Sequence, residues 1–364
     1  MPFSHMLPFD SASLPIVATA THPGGFLASY YVTSPQVVAT LLAAIVALIL
    51  LLVARPRLMG TTLVAPWWWS ISILGIVTGL EVVAAAAREM AAGATPAWTT
   101  HLELVAGALT FCPTMALLGA KRPQDRAWQF VVLSLAVVLV LPAAEGALFR
   151  PATPLVLHAA RRWFLLILLA VTLATGLPTR RWLATALLVA GQILLLGDHL
   201  PGGGNLVATL DSWRVPAGMS LLAVALFAAA HPYPRQSAAL APWDRAWLDF
   251  RDAFGTLWGL RVAERFNDTA RRSSWPVRLK WSGFEFDLPD NRVPGTDASA
   301  PLSPRGSGAG GEGARIEGQQ HELMTAMRVA MASLLWRFVS DDWLLRRWPV
   351  EAPTPDLRAM SDRA

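Results

Sequence analysis

The sequence has little charge and almost no cysteine for its length. Of its 364 residues, 15% are charged and 54% are hydrophobic, whereas about 25% of residues are charged in an average soluble domain. A chain with so few charges cannot cover a water-exposed surface of this size, so we expect a lipid bilayer to solvate much of it. The single cysteine, Cys112, excludes an internal disulfide and a cysteine-based zinc site.

The sequence also lacks the short motifs of common enzyme and nucleic-acid-binding classes. It contains no P-loop, no GxSxG nucleophile elbow, no HExxH zinc motif and no kinase signature. The two lysines, Lys121 and Lys280, lie outside the apolar segments, which excludes a retinal-type Schiff base. The net charge of +5 is spread thinly along the chain, so we expect no nucleic-acid partner. These absences leave an enzymatic activity without support.

Long apolar segments are what the sequence has in abundance. Crossing a hydrocarbon core takes about 20 apolar residues, and seven windows of about this length lie near 37–54, 64–87, 98–119, 127–149, 157–177, 182–199 and 213–230. We therefore predict an all-α polytopic membrane bundle with about seven transmembrane helices over residues 37–230. The fifth window is the weakest because Arg161 and Arg162 interrupt its beginning, and six or eight spans are the alternatives.

The basic residues between the windows predict an orientation. If residues 1–36 form an extracytoplasmic segment, the loops on the inner side carry most of the loop arginines and Lys121, whereas residues 1–36 contain no lysine or arginine. The positive-inside rule then places the C-terminus in the cytoplasm. We expect the protein to lie in the cytoplasmic (plasma) membrane, with the lipid bilayer as one of its partners. Residues 1–36 also lack the basic start of a cleavable signal peptide, so we expect the first span to be retained as an anchor.

Ionisable residues within the predicted spans gather near their outer ends. Glu81 and Arg88 lie near the outer end of the second span, Glu103 begins the third and Glu145 ends the fourth. Because a carboxylate in a bilayer usually faces a partner or water, these four residues are a candidate ligand-binding cluster of a transporter or outward-facing sensor. The alternative is structural, since Glu–Arg pairs near the interface also hold helix ends together.

Three histidines lie at a similar depth. His101, His158 and His199 could coordinate a metal ion or a haem near the outer surface. No two of them have the spacing of a metal motif on one helix. A metal- or haem-binding membrane protein is therefore the third hypothesis, and the sequence predicts no cofactor otherwise.

Gly75 and Gly79 form a GxxxG motif in the second span. Such small residues let two helices approach closely. We predict helix packing inside the bundle, with homodimerisation as the alternative use.

The polar part of the chain follows residue 234 and contains 35 of the 55 charged residues. Apolar residues recur at three- and four-residue steps from Trp243 to Arg272, which predicts an amphipathic helix. The alternating segment Val277 to Leu288 predicts a β-hairpin with a two-residue turn at Ser282 and Gly283. In that register Trp281 faces Phe284 and Lys280 faces Glu285.

These patterns divide the C-terminal region into four parts. Residues 235–290 are the amphipathic helix and the hairpin, residues 291–318 a disordered linker rich in Pro, Gly and Ser, residues 319–348 a second amphipathic helix, and residues 349–364 a flexible tail. We predict a small α+β cytoplasmic module. The leading functional hypothesis is a non-enzymatic scaffold or signal-coupling protein whose module binds a membrane or cytoplasmic protein.

Overall fold

The computed structural model describes residues 34–91, 96–122, 124–203, 210, 213–231, 241–287 and 309–349. The described chain is mostly helical, with one sheet of two strands. Six helical segments are long and apolar enough to cross a membrane: Pro35–Leu58, Val64–Met90, Thr99–Leu118, Arg126–Phe149, Ala159–Gly176 and Trp182–His199. A membrane-type helical bundle is thereby confirmed. A seventh apolar helix is shorter, with 17 residues.

Eight of the described helices form the bundle. They are α1 (Pro35–Leu58), α2 (Val64–Met90), α3 (Thr99–Leu109), α4 (Cys112–Leu118), α5 (Asp125–Phe149), α6 (Ala159–Gly176), α7 (Trp182–Leu196) and α8 (Arg214–Ala230). A 3₁₀ turn, Gly197–His199, extends α7. The helices begin and end within a few residues of the predicted windows, because the same apolar segments that signal a span also favour unbroken backbone hydrogen bonding.

The third predicted span is broken in the middle. It ends as α3 at Leu109 and begins again as α4 at Cys112, with Pro113 in the first turn of α4. Proline has no N–H to continue the hydrogen-bond ladder, so a carbonyl before it is left without a helical partner. The fully buried Gln192 of α7 supplies one, since its Nε2 donates to the carbonyl of Thr110 at 3.1 Å.

The C-terminal region folds into a small α+β module. It consists of α9 (Pro242–Arg272), β1 (Val277–Lys280), β2 (Gly283–Phe286), α10 (Ala309–Leu335) and α11 (Asp341–Arg347). The segment predicted as an amphipathic helix forms α9, which is interrupted at Gly255 and buries Trp247, Phe250, Phe254 and Phe266. These rings pack against methionines of α10 and against the apolar face of the hairpin.

The module is joined to one end of the bundle by main-chain hydrogen bonds, and we call this end the module end and the opposite one the far end. Thr62 N–H donates to the carbonyl of Phe338 at 2.9 Å, Ser340 N–H to that of Gly60 at 2.7 Å, and Arg122 N–H to that of Arg337 at 2.8 Å. The module core also includes the buried side chains of the bundle residues Leu63 and Ala120. The two parts therefore share one hydrophobic core.

The hairpin exists, but its predicted register is wrong by two residues. The observed partners are Val277 with Phe286, Arg278 with Glu285, Leu279 with Phe284, and Lys280 with Gly283, so that Trp281 and Ser282 form the turn. A shift of two residues keeps every side chain on its face, and for this reason the alternation could not detect it. Lys280 still reaches Glu285, with its Nζ 2.7 Å from Oε1.

Contacts with α9 select the observed register. Asp244 accepts a hydrogen bond from Phe284 N–H at 2.7 Å. Gly283 has φ +146°, and a Cβ at this position would lie 2.5 Å from the Asp244 carboxylate. Asn267 pairs with the free edge of β1 by accepting from Leu279 N–H at 2.7 Å and donating to Leu279 O at 2.9 Å.

The second predicted amphipathic helix differs from the observed one. α10 already begins at Ala309, inside the segment predicted as a disordered linker, and it ends at Leu335. A break then precedes the short α11 because residues 337–340 hydrogen-bond to the bundle instead of continuing the helix. Residues 1–33, 288–308 and 350–364 lie outside the described residues, so the extracytoplasmic segment, most of the linker and the tail stay predictions.

The Asp244 carboxylate gives the module a pH dependence. Its burial raises the pKa to about 6 from an ordinary value of 3.8, although the Phe284 N–H bond and the charge of Arg180 act in the opposite direction. Because the folded state then binds the proton more tightly than the unfolded state, the free energy of unfolding decreases as the pH rises from about 4 to about 6. The expected loss is on the order of 2–3 kcal/mol.

We expect Asp244→Asn to remove most of this dependence, because the amide oxygen still accepts from Phe284 N–H but cannot ionise. Thermal unfolding of the detergent-solubilised protein between pH 4 and 7 measures it, with the exposed Asp268→Asn as the control. Equal slopes for Asp244→Asn and the unmodified protein would contradict the assignment.

Candidate functional site

The far end of the bundle brings two of the predicted carboxylates together. Glu81 of α2 and Glu103 of α3 line the same small cavity, together with apolar side chains of α2, α3, α7 and α8. Its volume is about 10 Å³, roughly the space of one water molecule. The predicted convergence is present, whereas a pocket large enough for an organic ligand is not found there within the described residues.

Arginines hold these carboxylates. Glu81, whose side chain is 6% exposed, accepts from Arg88 Nη2 at 3.1 Å. Glu103 pairs with Nη2 of Arg214, and the Nη1 of the same guanidinium pairs with Asp198. Arg214 is 8% exposed and joins α3, α7 and α8. The sequence pattern did not single out Arg214, and the one signal for it was a basic residue at the start of an apolar segment.

Glu145 lies apart from this group. Its side chain is 50% exposed, and its Oε2 is 3.8 Å from Arg161 Nη1. The paired state of all three glutamates is the arrangement expected for carboxylates that hold helix ends together. A ligand-binding role for Glu81, Glu103, Glu145 and Arg88 stays a prediction.

The three histidines occupy different environments. His101 is buried on α3 with its Nδ1 3.2 Å from Trp98 O, and its Nε2 faces Gly146 of α5. His158 is exposed at the beginning of α6. His199 is buried in the 3₁₀ turn. In the described part of the chain, no group of three His, Cys, Asp or Glu residues is arranged to hold a metal ion, so the metal and haem hypothesis stays untested.

The GxxxG motif of α2 does not pack inside the bundle. Gly75 and Gly79 are exposed, and a Cβ added to either would meet no atom within 4 Å. The predicted internal packing is therefore wrong for this chain, because α2 turns the two glycines away from the helices it contacts. The alternative of homodimerisation stays a prediction.

The main cavity of the bundle lies toward the module end. Its volume is about 280 Å³, and it is lined by α1, α2, α6, α7 and α8, by the α3–α4 break and by α9 of the module. Leucine, isoleucine, valine, alanine and methionine side chains make up most of the wall. Because these residues are ordinary span residues, the sequence carried no signal of a cavity in this half of the bundle.

Charged side chains lie at only one end of this cavity. Arg181, which precedes α7, and Asp252 of α9 contribute to the lining there. Asp252 is held by Arg251, with Nη2 2.7 Å and Nε 3.0 Å from its Oδ1. Arg181 is the one lining residue whose side chain is exposed. The mouth of the cavity therefore lies beside Arg181.

The module forms the floor of the cavity. Asp252, Ala253 and Gly255 of α9 contribute to the lining. Gly255 has φ +78°, which interrupts α9, and a Cβ at this position would lie 2.7 Å from the carbonyl oxygen of Thr175 in α6. Thr256 Oγ1 donates to that same carbonyl at 3.1 Å. Only glycine combines this backbone angle with so close an approach to α6.

No family model, curated protein or solved structure matches the chain. The far end has ion pairs around a cavity of about 10 Å³, while the module end has a mostly apolar cavity of about 280 Å³ with three module residues in its floor. The cavity at the module end is therefore the better candidate for a functional site.

We expect the far-end ion pairs to act on stability. Arg214→Gln leaves Glu103 without its cation, and removing one partner of a buried pair costs about 3–5 kcal/mol. Arg161→Gln is the matched control, because the exposed pair of Arg161 with Glu145 contributes about 0–1 kcal/mol. Thermal unfolding in detergent measures both. Equal, small effects of the two substitutions would contradict a stabilising role of the Arg214 ion pairs.

Proposed function

We propose that this chain is a non-enzymatic signal-coupling protein that crosses the membrane seven times and holds a cytoplasmic module. In this proposal the module responds to the state of the bundle cavity. The observation that carries it is the floor of that cavity, where α9 interrupts its helix at Gly255 to lie against α6. A change in the cavity then acts on the module by direct contact.

Seven crossings are supported by the contacts at the two ends of α8. At the far end Arg214 pairs with Asp198, which follows α7. At the other end the carbonyl of Ala230 accepts from Arg57 Nη1 at 2.8 Å, and Arg57 lies in the last turn of α1. Between these contacts α8 packs against α7 and α1. Its 17 residues are within the range of about 17–25 that crosses a bilayer.

The cytoplasmic side of the module is supported by charge. The helix ends and loops at the module end carry Arg55, Arg57, Lys121, Arg122, Arg180 and Arg181, and the cytoplasmic side of membrane proteins is enriched in such residues. At the far end Arg88, Arg161 and Arg214 are each within ion-pair distance of a carboxylate, and so is Arg180 at the module end. Labelling of single cysteines from each face of the membrane tests both the crossing of α8 and this orientation.

Several contacts fix α9 to the bundle, so that a displacement at the cavity floor reaches the rest of the module. Trp258 Nε1 donates to Leu117 O at 3.3 Å, and Trp281 Nε1 in the hairpin turn donates to Pro178 O at 2.8 Å. Arg251 links the cavity wall to the hairpin turn, because it holds Asp252 in the wall and donates to Trp281 O at 2.7 Å. A single side chain thus contacts both the cavity wall and the hairpin.

A transporter or outward-facing sensor is the second candidate, and one observation favours it. The α3–α4 break contributes Thr110, Pro113 and Thr114 to the cavity wall. Broken helices of this kind commonly build substrate sites near the bilayer midplane. Transport would require the far-end ion pairs of Arg214 to open, whereas coupling to the module does not.

We expect Gly255→Ala to loosen the module, because the added Cβ meets the Thr175 carbonyl and the positive φ is strained for alanine. Hydrogen exchange of the full chain in nanodiscs should then show faster exchange both in residues 250–260 and in the hairpin. Gly318→Ala is the control, since a Cβ there meets nothing within 4 Å. Faster exchange in α9 with an unchanged hairpin would contradict coupling through this contact.

A further inference from the structure

The wall of the module-end cavity offers almost no hydrogen bonds to a ligand. Hydroxyl groups of its lining already donate to main-chain carbonyls: Ser70 to Pro66, Thr110 to Gly107, Thr175 to Val171, and Thr179 to Gly176, all at 2.6–2.9 Å. Thr185 donates to the carbonyl of Arg181 at 3.4 Å. Aliphatic side chains make up most of the remaining wall, which also includes Thr114 and, at one end, Arg181 and Asp252. Cavities of this character exclude water and take apolar groups. The interior is therefore suited to a hydrocarbon chain.

The size of the cavity limits the number of chains. Its volume of about 280 Å³ lies near the lower end of the range of roughly 300–1,000 Å³ that is common for small-molecule sites. One chain fits such a space, whereas both chains of a diacyl phospholipid do not. The occupant is thus a single-chain molecule.

Arg181 is the cation at the mouth of the cavity. The carboxylates of Asp252 and Asp249 act on its guanidinium electrostatically, but no ion pair of Arg181 within 4.0 Å is found among the described residues, whereas its neighbour Arg180 lies 3.8 Å from Asp252. The Asp252 carboxylate is already held by Arg251. The exposed side chain of Arg181 can therefore bind an anion at the mouth, where a guanidinium forms charge-assisted hydrogen bonds with carboxylate or phosphate.

We propose that the module-end cavity binds a single-chain amphiphile with an acidic head group. Its apolar chain lies between α1, α2, α7 and α8, and its carboxylate or phosphate is bound by Arg181. The inference rests on the proposed function in one respect, since this amphiphile is then the signal to which the module responds.

Binding of palmitate, methyl palmitate, lysophosphatidate and inorganic phosphate to the purified full chain tests the site. We expect one palmitate per chain, with methyl palmitate about tenfold weaker because it lacks the charge. Lysophosphatidate binding more tightly than palmitate would assign the ligand to the monoacyl phospholipids, and the reverse order to the free fatty acids. Inorganic phosphate alone should not bind, because the chain supplies the apolar contact.

Three variants locate the ligand. Arg181→Gln should weaken palmitate about tenfold and leave methyl palmitate unchanged, and since its side chain is exposed the variant should fold. Arg126→Gln is the matched control, because Arg126 is exposed at the same end of the bundle and does not line the cavity. Leu188→Trp, which enlarges a lining side chain, should weaken both ligands.

The proposal is overturned if palmitate and its methyl ester bind equally, if Arg181→Gln and Arg126→Gln have the same effect, or if many palmitates bind regardless of Leu188→Trp.

Hydrogen exchange in residues 250–260 with palmitate present separates this proposal from the coupling function. Binding without a change in exchange would contradict coupling and leave the site intact. Absence of binding would overturn the ligand class, while the Gly255→Ala result would still decide the coupling.

Discussion

The shared core between the C-terminal module and the bundle is the interaction on which the remaining structure depends. The hairpin and the three helices of the module supply most of the buried side chains of this core. Here Leu63 and Ala120 of the bundle complete the module core, and main-chain bonds at Gly60, Thr62 and Arg122 receive the segment after α10. The same contact places α9 beneath the bundle helices and so closes the cavity.

The bilayer explains why polar groups in the bundle are distributed unequally. At the far end the buried Glu81 pairs with Arg88, and the buried Arg214 pairs with Glu103 and Asp198. An unpaired charge at such a place would cost several kcal/mol. Toward the module end the wall is mostly aliphatic and most of its hydroxyl groups donate to main-chain carbonyls, so that the space between the helices suits a hydrocarbon chain, with Arg181 at its edge.

Much of the fold could be predicted from the sequence, because span lengths and helical periodicity are local properties. The seven apolar windows correspond to the observed bundle helices, and the buried face of α9 was predicted by the spacing of Trp247, Phe250 and Phe254. The hairpin register could not be predicted, since a shift of two residues preserves the alternation and Asp244 of a distant helix selects between the two registers.

The candidate site was harder to predict because, like the hairpin register, it depends on contacts between residues that are far apart in the sequence. Glu81 and Glu103 were expected to converge and do, yet their partner Arg214 is 111 residues from Glu103 along the chain. The cavity arises where six helices fail to fill the space between them, and no residue type marks such a place. Gly255 was an ordinary residue of a predicted helix until its contact with Thr175 made glycine necessary.

The central claim is that the bundle crosses the membrane with the module on the cytoplasmic side. The most direct test is whether the residues before and after α8 lie on opposite faces of the membrane. In a Cys112→Ala background, Leu210→Cys precedes α8 and Ser273→Cys lies in the module, where its side chain is exposed. An impermeant maleimide should label Leu210→Cys in intact cells and Ser273→Cys only in inverted vesicles. Labelling of both from the same face, or in the reverse order, would contradict the account.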